Sequence, residues 1–531
     1  MDPVPLPPPY GGVDLKNPLV ALQSPNCENL LNFNLSNVGA ELRNGDSISY
    51  NFALTGTNGR YALDLHPHEA ASKLYISTLN NQSSNYEIYD TSGTLVYTFV
   101  PLFTLLNSVP RISNVYFNKS TYFFPNQAVN AGHKVDAAGT FAISGYTGDV
   151  GTPKLIGGAV YKNRLYGIEY QEAGYWYSGI DSTSGEMTYV DITGLTESKC
   201  TLSSIGTFTI SDQVTTEVFI AFVMSDGEIL FYNGSYPNSS DWRLAGRAQI
   251  PQPLFIDSLI KYQGDTLVMC DSGVVSLRDL FLKGSQQALS LSISELVQPA
   301  WAGLVRAIRA ARSAPTGPLV NNAVNGSIRG VFDTQNDRIV ISFPYYLDSS
   351  NALQNGSFYF VYNTALGAWS FHRSYGGRIY DANIYNNVLY CLSRYGTDNG
   401  VTVYKKEGAT GFTDRTADNS GETAYDYNMI SAPVANGRAF VQKAEGLDVI
   451  LNSDLYDQTS YYLIRDFGVE TTAAQTVPNV LTGVLQKPYV NMGIEGSYVQ
   501  WRLTGTTTTS KTVGLKLYGT NLWIEQGGSP R

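Results

Sequence analysis

From about residue 50 onward, apolar and aromatic positions come in short runs broken by turn residues, as in KLYIS, YEIYDTSGTLVYTFV, AVYKNRLYGIEY, FIAFVMSDGEILFYNG and LIKYQGDTLVMC. Each doubled run predicts a β-hairpin, because β-branched and aromatic side chains fit a pleated surface and the central residues suit tight turns. Turns are expected at Asn163, Asp226, Gly264, Asn336 and Asn387. Several gaps between them are about 40 to 50 residues or somewhat longer, the length of one four-stranded propeller blade. The spacing is irregular, so by periodicity alone stacked β-sandwiches remain the rival of a β-propeller.

One segment breaks this rhythm. In PAWAGLVRAIRAAR, Trp301, Leu304, Val305 and Ile308 fall on one helical face and Pro299 suits a first turn, which predicts a short helix over 299–312 inserted between blades. Arg306, Arg309 and Arg312 lie toward its C-terminal end, where cations complement the helix dipole. They read either as a solvated face or as a contact with a neighbouring subunit or phosphate.

The two ends differ from the middle. PVPLPPP at residues 3–9 cannot enter a helix or a central strand and reads as an extended arm. LLNFNL and SISYNF are strand-like patches without a complete hairpin set, and YYLIRD, YVQWRLTG and VGLKLYG supply candidate partners at the other end. The expected fold is all-β, in three parts. Residues 1–48 form the arm and strands of an assembly domain, 49–415 a β-propeller with its inserted helix, and 416–531 a C-terminal β domain that completes the assembly domain. Deleting residues 1–45 should then leave a folded, soluble propeller that no longer assembles.

Composition agrees with a large β protein. Of 531 residues, 43% are hydrophobic and only 15% charged, with 50 Gly and 37 Tyr, which favours short strands and tight turns over long helices. The formal charge of -10 gives no general attraction for phosphate, so tight nucleic-acid binding is not expected. Cys27, Cys200, Cys270 and Cys391 are far apart and read as reduced packing residues, neither a zinc clamp nor a disulfide framework. The first residues lack a signal-peptide pattern and no run suits a membrane span, so synthesis and retention in a cytosol are expected.

The chemistry-bearing residues are sparse. There is no Gly-x-Ser-x-Gly elbow, phosphate loop, His-Glu-x-x-His or EF-hand pattern, and no enzyme, cofactor or metal is expected. His66 and His68 with Glu69 are the one conceivable metal group, but a loop stiffened by Pro67 is the plainer reading. Asp257, Asp265, Asp271 and Asp279 are carboxylates that a glycosidase would need in pairs, yet turn and strand-end positions account for them equally. GYWYSG at 174–179 offers either a sugar-stacking platform or aromatic packing between blades, and packing is the expectation.

Three stretches carry a family resemblance. Residues 225–281 run as a Gly-containing hairpin, a Tyr strand, a Trp strand, a Gly-Asp turn and a closing Gly-Val-x-x-Leu strand. GVFDTQNDRIVISFPYY is followed by FYFVYNTALGAWSFH, with Tyr362, Asn363, Gly367, Ala368 and Trp369 in a strand-turn-Trp pattern. PPYGGVDLKNPLVALQSPNCENLLNF, with ELRNG after it, opens the chain, although Phe33 stands where relatives carry Trp. These resemble the tail nozzle, or hub, proteins of short-tailed bacteriophages. The resemblance implies a homohexameric ring in the virion below the portal and adaptor, built in the host cytoplasm, carrying fibres or spikes and passing the genome without specific contact. The alternatives are a receptor-binding or polysaccharide-degrading tail protein and, against the resemblance, a cellular propeller acting as an interaction scaffold.

Overall fold

A computed structural model of the chain describes residues 2–18, 21–53, 60–80, 83, 85–99, 112–124, 132–197, 200–211, 215–254, 258–285, 292–313, 328–375, 377–395, 400–409, 411, 413–416, 419–434, 442–452, 459–465, 470–476, 489–496, 498–508 and 515–526. The fold is an all-β propeller joined to terminal β-sheets. Six sets of four antiparallel strands are ordered as blades. The first blade is Arg60–His68, Lys73–Asn80, Asn85–Asp90 and Leu95–Phe99, and the second is Ser113–Phe117, Ser120–Phe124, His133–Val135 and Phe141–Ile143. The third is Leu155–Tyr161, Arg164–Glu169, Gly174–Tyr177 and Gly185–Asp191, and the fourth is Leu202–Ser211, Thr216–Met224, Glu228–Asn233 and Arg243–Gln249. The fifth is Arg329–Asp333, Arg338–Leu347, Leu353–Asn363 and Ala368–Ser374.

The sixth blade closes the ring from two distant parts of the chain. Ile379–Tyr385, Val388–Tyr395 and Gly400–Lys405 are completed by Ser47–Ala53, whose Asn51 lies opposite Thr402. SISYNF therefore belongs to a blade and does not pair with the C-terminal strands, because a propeller gains most from covering the outer edge of its last blade.

Between the fourth and fifth blades sits a three-stranded sheet, Leu259–Tyr262, Asp265–Cys270 and Gly273–Ser276. Helices follow it where a fourth strand would come. Helix α1 (Leu277–Lys283) starts where the Ser276 hydroxyl accepts the Asp279 N–H and ends at Gly284. Helix α2 (Gln298–Ser313) is the inserted helix expected from the sequence, one residue longer at each end. Its Trp301, Leu304, Val305 and Ile308 are buried as one face, and the Trp301 Nε1–H donates to the Cys270 carbonyl at 2.9 Å. Arg306 is exposed and Arg309 pairs with Asp271 at 2.6 Å; the Arg312 side chain lies outside the described residues.

The expected turns follow from local chemistry. Asn163 has φ 57°, Gly227 φ 93°, Gly264 φ 74° and Asn387 φ 59°, all left-handed values that Asn and Gly adopt at low cost. Asn336 occupies its turn with ordinary φ, and the left-handed residue there is Asp337 at 46°.

The terminal segments build two further arrangements. Asn26–Leu31, Asp426–Ser431, Val499–Thr506 and Thr459–Arg465 continue the sheet of the fifth blade, joined to it by a parallel pairing of Leu31 with Phe371. Phe33–Ser36, Gly39–Leu42, Lys516–Gln526, Gln442–Asn452 and Tyr489–Gly496 form a second sheet. The Pro-rich arm, Asp2–Leu6, runs antiparallel along Lys516–Gln526, an outer position that tolerates missing N–H donors. One continuous core includes Phe33, Trp301, Phe360, Trp369, Tyr427 and Trp501, so terminal sheets, α2 and fifth blade share their interior.

Candidate functional site

The first strands of the blades and of the three-stranded sheet border one axial cavity of about 390 Å³. Its polar lining includes Glu69, Asn114, Tyr116, Lys261, Arg329 and Asn383, with charges of both signs. Each first strand reaches the axis with its axial edge unpaired, which is why Pro67 fits there within a strand.

Buried polar groups staple the wall from behind. The Asp64 carboxylate of the first blade accepts the Ile112 N–H beside the second at 3.0 Å. Asp381 of the sixth blade accepts the Leu65 N–H at 2.7 Å and lies 3.3 Å from the Arg329 Nε of the fifth. Asn383 donates to the Leu65 carbonyl at 3.1 Å, and the Thr266 hydroxyl donates to the Thr207 carbonyl at 2.7 Å, tying the three-stranded sheet to the fourth blade. Asp64 and Asp381 are buried, so these bonds operate where an unmet partner is costly and geometry is tightly defined.

His66 and His68 lie within the first strand of the first blade, not in a loop after it, and both are buried. The His66 ring meets Phe123 edge-on at 5.0 Å. The His68 Nδ1 is 2.9 Å from the Thr121 hydroxyl and its Nε2 is 2.8 Å from the Asp136 carbonyl, which only an Nε2–H can satisfy. Burial holds both imidazoles below their ordinary range, with nearby carboxylates pulling weakly the other way. With both ring nitrogens of His68 engaged and Glu69 at the cavity, the three do not converge as a ligand set.

Of the four aspartates, the three among the described residues each have another role. Asp265 is buried and accepts the Thr266 N–H at 2.7 Å and the Arg278 N–H at 3.2 Å; burial raises its pKa, and these bonds oppose it. Asp271 pairs with Arg309, and Asp279 sits in the first turn of α1, 3.1 Å from Lys283. Asp257 lies outside the described residues. At 174–179, Tyr175, Trp176 and Tyr177 are buried, Tyr175 stacks on Phe222 at 4.3 Å and the Trp176 Nε1–H donates to Glu169 at 2.6 Å. These rings pack blade to blade and offer no exposed platform.

The thiols of Cys27, Cys270 and Cys391 are buried, and burial raises the pKa of each, so none is primed as a nucleophile. Cys200 lies near Asp226 and Glu228, ligand atoms within 4.8 Å of one another, a grouping that sequence spacing did not reveal. Glu228 there already accepts the Glu197 N–H at 2.9 Å and faces Arg247 at 3.4 Å.

A denser charged cluster lies at the seam between the ring and the terminal sheets. Arg43 is fully buried and gives two bonds to Asp414, at 3.0 and 2.8 Å, one to the Asn32 side chain at 3.0 Å and one to the Arg373 carbonyl at 2.9 Å. Asp46 meets Lys406 at 3.1 Å. Arg338 binds Glu407 at 2.6 Å and Asp333 at 2.9 Å, while the Asn34 amide donates to the other Glu407 oxygen at 2.7 Å. Burial alone would push Glu407 and Asp46 up; Arg338 with His372 and Lys406 overcomes it for Glu407, and Lys406 with Arg43 for Asp46, so both sit below the usual carboxylate range. One hint of this cluster stands in the chain itself, since charged residues are few and Lys406-Glu407 directly follows the strand Gly400–Lys405.

No family model matches the chain, and no curated protein matches it. Among solved structures, it is similar to the β-propeller domain of Cps50 (Swd1) from Myceliophteria thermophila at 8% identity and TM-score 0.40, over 68% of this chain and 99% of that one. It is also similar to Raptor from Chaetomium thermophilum at 10% identity and TM-score 0.38, over 68% of this chain and 30% of that one. No helix among the described residues is long and apolar enough to cross a membrane. The tail-nozzle expectation is not carried forward: the similar structures named are a Swd1 propeller domain and Raptor, and the comparisons bring no support for a phage tail protein. The ring of six, the adaptor and fibre partners, the passage of a genome and the tail-bound alternative of a receptor-binding or polysaccharide-degrading protein likewise find no support in these comparisons.

Proposed function

We propose that this chain is a non-catalytic scaffold, a β-propeller whose blades and terminal sheets hold protein partners in fixed relative positions. The observation that carries the reading is where its buried polar groups go. Asp64, Asp381, Arg43, Asp414 and Glu407 each join segments distant in sequence, so they serve to lock blades and termini against one another. Locked polar networks favour one rigid arrangement, which suits a surface that presents partners and gives no advantage to a lid or a moving active site.

The test joins partner mapping with an activity assay. Cross-linking mass spectrometry on the protein in its native complex should place partners on outer blade strands or terminal sheets. Turnover of a polysaccharide or peptidoglycan by the pure chain, lost on Glu69→Gln at the axial cavity, would overturn the proposal.

A further inference from the structure

We propose that residues 26–53 act as a strap that couples closure of the propeller ring to docking of the C-terminal strands, so that neither is complete without the other. This rests on the scaffold reading only in that rigidity serves it; the coupling is a property of the fold itself.

The strap touches both parts without a break. Asn26–Leu31 pairs with Asp426–Ser431. Asn32 then turns the chain at φ 64°, with its side-chain oxygen accepting from Arg43 and from the Arg373 N–H and its amide donating to the Asp426 carbonyl. Phe33–Ser36 and Gly39–Leu42 form a hairpin in the second terminal sheet, and Ser47–Ala53 closes the sixth blade against Gly400–Lys405.

Between these two roles the strap is pinned to Ala409, Gly411 and Arg415. The Gly45 N–H donates to the Gly411 carbonyl at 2.9 Å, Ala409 donates to Gly45 at 3.0 Å and Arg415 to Asp46 at 3.1 Å. A Cβ at Gly45 would stand 1.8 Å from the Thr413 carbonyl oxygen, so only glycine lets the strap lie this close.

The charged cluster makes the coupling strong. Lifting the strap from the Thr413–Arg415 strand, which leads into the C-terminal strands, moves Arg43 off Asp414, and lifting it from the sixth blade moves Asp46 off Lys406. Either motion strands a buried charge, a state far costlier than the intact pair, so separate opening of one end is disfavoured. The strap therefore implies, against the expectation from the sequence, that deleting residues 1–45 does not leave a folded propeller: that cut strips Asp414 of its buried partner and removes Leu30 and Phe33 from the shared core.

Hydrogen exchange on the full chain tests this. In Asp414→Asn, exchange should rise together at 47–53 with 400–405 and at 26–31 with 426–431, on the order of a hundredfold, while 155–169 in the third blade stays unchanged. A rise at one site alone, or at neither, overturns the strap. If the variant does not fold, exchange of the wild-type chain in rising urea replaces it: one shared opening curve for the two sites is expected, and two separate curves overturn the proposal.

Discussion

Arg43 and Asp414, 371 positions apart in the chain, meet as a fully buried, two-point ion pair with Nη1–Oδ1 at 3.0 Å and Nη2–Oδ2 at 2.8 Å. The Arg43 guanidinium also lies 4.1 Å from the centre of the Tyr425 ring. Removing one partner leaves the other desolvated, with only Asp46, at 3.6 Å, as a remaining counter-ion for Arg43. Asp414→Ala should therefore lower unfolding free energy by about 3 to 5 kcal/mol, whereas Arg43→Met with Asp414→Leu should cost clearly less than the sum of the single changes. Urea denaturation of the four proteins measures this, and additive losses would show that the pair is not coupled.

Trp369 closes the hairpin that the sequence pattern singled out. It faces Tyr362 across the strands, with Gly367 at φ 66° in the turn, and it is wholly buried with its Nε1–H donating to the Ile293 carbonyl at 2.6 Å. Trp369→Ala should cost about 3 to 5 kcal/mol, and Trp369→Phe, which keeps a ring but abandons that carbonyl, less. An unchanged melting curve for the alanine variant would contradict the packing.

What could be read in advance was local. The turn after Tyr262 needs Gly264 at positive φ, and the Asn386-Asn387 turn needs two left-handed residues, so three or four adjacent residues announce each hairpin. Helix α2 announced itself through the spacing of Trp301, Leu304, Val305 and Ile308. The rest depends on partners hundreds of residues apart. Nothing near Ser47–Ala53 shows that it pairs with Gly400–Lys405, and nothing near Leu31 shows that it meets Phe371. Arg43, Asp414 and Glu407 were missed because isolated charges in a β pattern look like solvent-facing residues until the fold buries them. The functional expectation rested on resemblance and not on such local chemistry, and the comparisons lend it no support.

Gly227 tests a turn of the fourth blade. Its φ is 93°, and a Cβ there would stand 2.0 Å from the Ile250 carbonyl oxygen, which accepts from the Gln249 side chain. Gly227→Ala meets both backbone strain and a backbone clash, so it should destabilise by more than about 1 kcal/mol. A thermal shift assay showing equal or higher stability would mean that the hairpin relaxes freely.

The pH dependence of stability follows from the histidines. The chain has four, His66, His68, His133 and His372, and burial holds each below its ordinary value. His133 is lowered to about 4; it stacks on Phe99 at 4.8 Å, and the Tyr97 hydroxyl lies 3.0 Å from its Nδ1. The unfolded chain takes up protons near pH 6.5 while the folded chain resists, so stability is fully present above that pH and falls as pH drops toward 4. Asp46 and Glu407 act in the same direction but lower: their folded values are depressed, so the stability they contribute persists above the unfolded value near 4 and is lost only as pH falls further. Urea midpoints at several pH values should thus decline in two limbs. His133→Phe, which preserves the stack on Phe99, should flatten the upper limb between about pH 6.5 and 4 and leave the lower one in place. An upper limb of unaltered slope in that variant would mean that His133 titrates alike in the folded and unfolded chain.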